Sequence, residues 1–230
     1  MTEEIGYPKF LRDTAVTKVD ENTWEAKLTD DWNIGGVANG GYSMATAARA
    51  LSEYLEHKDP LSITGHYLSR VEPGKALLEV EKLNIGRSVS TASLKFIQDG
   101  EEKIRFTSCF TNFSKAKGDT LREVEAPNFP PIEDCIHMPY IKGFTPVLEK
   151  QLDRRFAPYS NWWDEERPRE RAFLDAYYAW PGGESIDLFS VIFFLDTMSP
   201  PIFNRLGSRG WVPSLELTLH LKQIPSPGPL

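Results

Sequence analysis

The chain has 230 residues, 40% hydrophobic, 12% aromatic and 26% charged, a globular composition long enough for one large domain or two small ones. Its net charge of −7 gives nonspecific nucleic-acid binding no electrostatic support, so no nucleic-acid partner is expected and an anionic ligand needs a local basic patch. Two cysteines without CxxC spacing and four histidines without an HExxH motif argue against a metal site or a disulfide framework, and no cofactor is expected.

The N-terminus "MTEEIGYPKF" reads as neither signal nor transit peptide, and no apolar run approaches the roughly 20 residues of a membrane span. The expectation is a cytoplasmic protein. Residues 14–29 alternate with β-branched and aromatic residues around a turn, which predicts a strand pair. The Gly-rich bend "DDWNIGGVANGGY" leads into "SMATAARALSEYLEH", where Met44, Ala47, Ala48, Leu51 and Leu55 fall at helical spacing. Strand-like segments follow in "SITGHYLSRV", "KALLEVEKLNIG", "VSTASLKFIQDG" and "EKIRFTSCFTNF", the last two joined by an Asp99-Gly100 hairpin turn. A strand pair, a helix and a run of antiparallel strands make an α+β pattern rather than an alternating one. Residues 115–150 are polar and Pro-rich and read as a linker between a first unit, 1–114, and a second, 151–230. The second unit runs through "QLDRRFAPYS", the charged "WWDEERPRERA", the aromatic strand "FLDAYYAW", a helix within "ESIDLFSVIFFLDTM", and "VPSLELTLHLKQIPSPG".

The chain also carries an internal repeat. "LSITGHYLSRVEPG" (61–74) and "LELTLHLKQIPSPG" (215–228) align at a constant offset, matching Leu61 with Leu215, Thr64 with Thr218, His66 with His220, and the Pro-Gly pairs. Two related halves are expected. The first continues through three more strand-like segments that the second has no room to repeat, so the second is expected to lack about two or three strands of typical length.

Asp196 ends the apolar run "SVIFFLD". It reads either as a cap that binds nearby backbone N–H groups, with Ser199 before Pro200 opening a new turn, or as a carboxylate in an apolar groove whose desolvation makes it a better base.

"DWNIGGVANGGYSMATAARAL", "GHYLSRVEPG" and "GRSVSTASLKFIQDGEEKIRFTSCF" resemble the first half of the thioesterase-like double-hotdog proteins, the group of the type II acyl-CoA thioesterases. "LDRRFAPY", "FLDAYYAW" and "PSLELTLHL" are similar to the second half. The resemblance implies two hotdog units, each an antiparallel sheet wrapped around one long helix, the second incomplete at its C-terminus. The apolar helix around Leu188–Leu195 is then expected to be enclosed on every face.

The same resemblance implies an acyl-CoA thioesterase, with acyl-CoA as substrate and assembly into homo-oligomers through the hotdog sheets. Asp196 matches the catalytic Asp, and Ser214 stands where the family has an assisting Thr. The family's third partner, a Gln on the last strand, has no counterpart here. Water activated by Asp196 would attack the thioester carbonyl. Gly40, Gly41 and Tyr42, at the start of the first helix, would bind substrate, with backbone N–H groups facing the developing oxyanion; equally, the glycines read as a tight strand-to-helix bend with no ligand. The alternative is a non-catalytic acyl-thioester binder.

Other residues fit chemistry less well. Ser43 in "GYSMA" resembles a nucleophile elbow but lacks a suitable His partner. Arg154, Arg155, Arg167, Arg169 and Arg171 could grip phosphates, though charge runs of this kind are ordinarily solvated loops. Cys109 reads as a small buried hydrophobe.

Overall fold

The computed structural model describes residues 4–119, 121, 123–164, 171–208 and 210–230. It opens with α1 (Tyr7–Asp13), which the pattern did not announce, followed by the expected strand pair β1 (Val16–Asp20) and β2 (Thr23–Leu28). A short ribbon of β3 (Asn33–Ile34) and β4 (Val37–Ala38) delivers the chain to α2 (Gly40–Tyr54). Then come β5 (Asp59–Tyr67), β6 (Gly74–Ile85), β7 (Ser90–Gln98) and β8 (Glu101–Thr111). Between β7 and β8, Asp99 and Gly100 take φ of 51° and 77°, the left-handed pair that a two-residue hairpin of matching twist requires.

The sheet wraps α2 because α2 is narrow. Ala45, Ala47, Ala48 and Ala50 have no exposed surface, so strands approach the helix closely on several sides, and Met44 and Leu51 fill the space between. This α+β, helix-in-sheet arrangement is the hotdog expected from the sequence.

The C-terminal half contributes β9 (Ile136–His137), β10 (Asp153–Phe156), β11 (Ala176–Ala179), α3 (Leu188–Leu195), α4 (Ile202–Leu206) and β12 (Glu216–His220). β11, β10 and β9 form a three-stranded sheet, so the Pro-rich stretch contributes a strand, and its Leu148 is fully buried. β12 leaves that sheet. It adds to the large one, whose order is β1-β2-β6-β7-β8-β5-β12, every neighbour antiparallel.

The repeat explains the β5–β12 pairing. Thr64 lies directly opposite Thr218, its own counterpart in the repeat, and the two hydroxyls are 2.9 Å apart. On either side His66 faces Glu216 and His220 faces Ser62, as a pseudo-twofold axis through the Thr pair demands. The halves therefore meet edge to edge through equivalent strands.

α3 departs from expectation. It is eight residues long, not a long helix, and it is not enclosed on every face. Ile192 and Phe193 are buried, but Leu195 is 51% exposed, beside a shallow apolar dent of about 140 Å³ between α3 and Tyr178. Its inner face is fixed by rings. Phe193 stacks on Phe10 of α1 at 5.2 Å and meets Trp32 edge-on at the same distance, joining the two halves in one core.

Candidate active site

α3 ends at Asp196, where φ −104° and ψ 10° take the chain out of the helix. The last turn of α3 lies against the first turn of α2, and two glycines permit it. A Cβ at Gly41 would stand 2.6 Å from the Phe193 carbonyl and 2.9 Å from Asp196 Cβ. One at Gly40 would stand 2.7 Å from Asp196 Oδ2 and 3.0 Å from the Tyr67 ring. The Gly-Gly pair thus makes room for a carboxylate at the helix start.

The carboxylate is held from three directions. The Gly41 N–H donates to Oδ2 at 2.9 Å, Asn39 Nδ2 donates to the same oxygen at 3.2 Å, and the Ser214 hydroxyl donates to Oδ1 at 2.9 Å. Asn39 does double duty. Its Oδ1 accepts from the Tyr42 N–H at 3.0 Å, capping α2, while its Nδ2 also donates to the Asp196 carbonyl at 2.8 Å. Asp196 therefore closes its own helix through its backbone, while its side chain caps α2.

Opposing effects act on its proton. Burial pushes the Asp196 carboxyl up, whereas the hydrogen bonds from Ser214, Gly41, Gly40 and Asn39 all pull it down; burial wins, and the group sits above the usual carboxylate range. Tyr67 responds to the same setting. Burial first, then the charges of Asp196 and Glu216, hold its phenol well above the ordinary value, and its hydroxyl donates to the Gly40 carbonyl at 3.0 Å.

The structure brings together Asp196, Ser214, Gly40 and Gly41 as the sequence reading grouped them. Tyr42 differs. Its ring is fully buried and its hydroxyl donates to the Asp13 carbonyl at 2.8 Å, so the phenol faces the core and not the helix start. Asn39, central to the site, escaped the sequence reading; its signal was an Asn directly before Gly-Gly and a helical run.

Ser43 is fully buried and donates to the Asn39 carbonyl at 3.3 Å, which leaves no room for a nucleophile. Arg154, grouped with solvated charges in the sequence, is a correction: strand alternation turns it inward and leaves it 3% exposed, while Arg155 points outward to Asp153. Arg167 and Arg169 lie outside the described residues. Among the described residues no His, Cys, Asp and Glu cluster could hold a metal ion, and no helix is long and apolar enough to cross a membrane.

Comparison with known proteins agrees with this fold. Residues 28–111 match the model of the acyl-CoA thioesterase N-terminal domain, and residues 132–230 that of the acyl-CoA thioesterase C-terminal domain. The thioesterase-like protein TwmA of Talaromyces wortmannii is 33% identical over 94 residues, 40% of this chain and 27% of that protein. The chain spans 27% and 33% of the lengths of the curated relatives it matches. A candidate thioesterase II from Thermobifida fusca YX superposes with a TM-score of 0.85 at 27% identity, covering 96% of this chain and 83% of that one. A hot dog fold protein of unknown function from Alicyclobacillus acidocaldarius gives 0.81 at 17% identity, over 94% and 79% of the two chains, which bears on the fold alone.

Proposed function

Because the chain belongs to the acyl-CoA thioesterase family through both its domains, we propose that it hydrolyses acyl-CoA to the free acid and CoA at Asp196. One observation carries this reading. The carboxylate's proton affinity is raised and it is anchored by three donors, two at the start of α2 and one before β12, yet it is only partly buried and has the exposed Ser214 beside it. A group meant only to cap α2 gains nothing from a raised proton affinity; a general base does.

In this mechanism a water at the Asp196–Ser214 pair gives its proton to the carboxylate while its oxygen attacks the thioester carbonyl. The tetrahedral oxyanion draws on the positive end of α2. The Gly41 N–H at that helix start is engaged with Oδ2 of the base. Collapse breaks the C–S bond, and the CoA thiolate recovers the proton from Asp196. Asn39 Nδ2 donates to the same carboxylate oxygen and helps to hold the base in place. The division into residues 1–114, a connecting stretch 115–150 and residues 151–230 belongs to the same proposal, with each half supplying part of one site.

The test is thiol release from short- to long-chain acyl-CoAs by the parent and by Asp196→Asn. Loss of roughly 10²–10⁴-fold in kcat, the usual contribution of a positioned acid–base group, is expected with the fold intact. Equal turnover by both proteins would remove Asp196 from the chemistry. No turnover by either would favour the acyl-thioester binder, with Asp196 serving as a cap.

A further inference from the structure

We propose that Arg154 is a positioning residue for Asp196, holding, together with Asn39, the turn that carries the carboxylate. The proposal rests on the reading of Asp196 as the base. At the end of α3 two successive carbonyls would lack helical partners, and each receives a side-chain donor from a different element. Asn39 Nδ2 takes the Asp196 carbonyl at 2.8 Å, and Arg154 Nη1, reaching from β10, takes that of Thr197. Thr197 itself is buried, and its hydroxyl returns to the Phe194 carbonyl at 2.8 Å. The turn is thus clamped between the halves of the molecule, with the carboxylate at the clamp.

The surroundings of Arg154 are those of a group placed for geometry rather than for stability. It is almost fully buried, its Nη2 is paired with Glu149, its Nη1 also reaches the Tyr178 hydroxyl at 3.2 Å, and the guanidinium lies 4.7 Å from the centre of the Phe156 ring. Its Nε has no hydrogen-bond partner among the described residues. A buried ion pair seldom adds net stability over apolar packing, and an unpartnered buried N–H subtracts from it. A planar fork nonetheless binds a carboxylate and a carbonyl at once in fixed directions, which an ammonium cannot do. The cation also stands at the negative end of α3, where the helix field favours it.

The experiment compares kcat and KM for acyl-CoA hydrolysis in the parent, Asp196→Asn, Arg154→Lys, and the double variant Glu149→Leu/Arg154→Met, which leaves no orphan charge behind. Arg154→Lys keeps the charge and three donors but loses the rigid planar fork that fixes both contacts, so kcat should fall about tenfold with KM within about twofold. The double variant should lose roughly a hundredfold, the cost typical of a reacting group misplaced by about an ångström. Near-UV circular dichroism should match the parent in both. Asp196→Asn inactive with parental kcat in the lysine and double variants would overturn the proposal while leaving the base assigned. Loss confined to the folded fraction, with parental kcat per folded molecule, would overturn it equally. Parental turnover by Asp196→Asn would end the reading of Asp196 as base and this inference with it.

Discussion

A carboxylate on which three side-chain and backbone donors converge, at the positive end of a helix, has every local reason to ionise easily. Asp196 does the opposite, because the packing of α2 against α3 withdraws it from water and burial exceeds the hydrogen bonds. This balance fixes the sign of a pH effect. On the proposed reading the base works ionised, so activity should fall as pH drops through its raised pKa, giving an acid limb higher than that of an unperturbed Asp. Ser214 pulls that value down, so Ser214→Ala should move the acid limb to higher pH. It should also reduce kcat by roughly tenfold or more, as expected for losing a hydrogen bond to a charged group worth about 1.5–3 kcal/mol. A pH–rate profile of the two proteins checks both statements; an unmoved limb would dissociate Ser214 from the titrating group.

At the scale of elements, the closeness of α2 and α3 is set by Gly41. Adding one methyl there drives Cβ into the Phe193 carbonyl, a backbone atom that cannot rotate away. Gly41→Ala should destabilise by about 1–3 kcal/mol, the typical cost of overpacking, and should reduce turnover more than Gly36→Ala. Gly36 sits in the β3–β4 ribbon, where a Cβ would meet nothing, although its φ of 83° gives it a strain of its own. Thermal melts and kcat measured side by side test this. Elements of this kind were largely legible in the sequence. The Ala-rich run showed α2, the Asp-Gly pair its hairpin, and the alternation most of the large sheet. Less was readable where tertiary context decides. β9 is two residues long, too short to carry a period, and Tyr42 turns inward for the hydroxyl's bond to Asp13, 29 residues away. Arg154 looked like solvated charge because, beyond the nearby Glu149, its partner the Thr197 carbonyl lies 43 residues along the chain and becomes a neighbour only in the folded protein. The candidate site was half legible for the same reason. Asp196 stood out as a charge closing an apolar run, whereas Asn39 was hidden among glycines as an ordinary cap.

Across the whole molecule, two seams make the halves interdependent. β12 is a strand of the large sheet, and the ring cluster of Phe10, Trp32, Phe193 and Trp180 runs through both halves. Unfolding should therefore be one transition. Denaturant midpoints from tryptophan fluorescence, far-UV circular dichroism and loss of activity should coincide, as cooperative single units show. A separate early transition in one signal would mean that the seam contributes less than its pairing implies. The half-exposed Leu195 and the dent beside it mark the side of α3 on which local opening would begin.

The 155 residues between Gly41 and the carboxylate that binds its N–H have a consequence for how the protein comes into being. During synthesis α2 and the strands around it leave the ribosome long before Asp196 does, and Ser214 later still. Until then Asn39 caps the Tyr42 N–H, while the Gly41 N–H is open to water or any passing small anion. A growing chain can thus fold most of its large sheet before the proposed base exists. On that reading Asp196 and Ser214 complete the site only once the second half has been made, and hydrolysis waits for them.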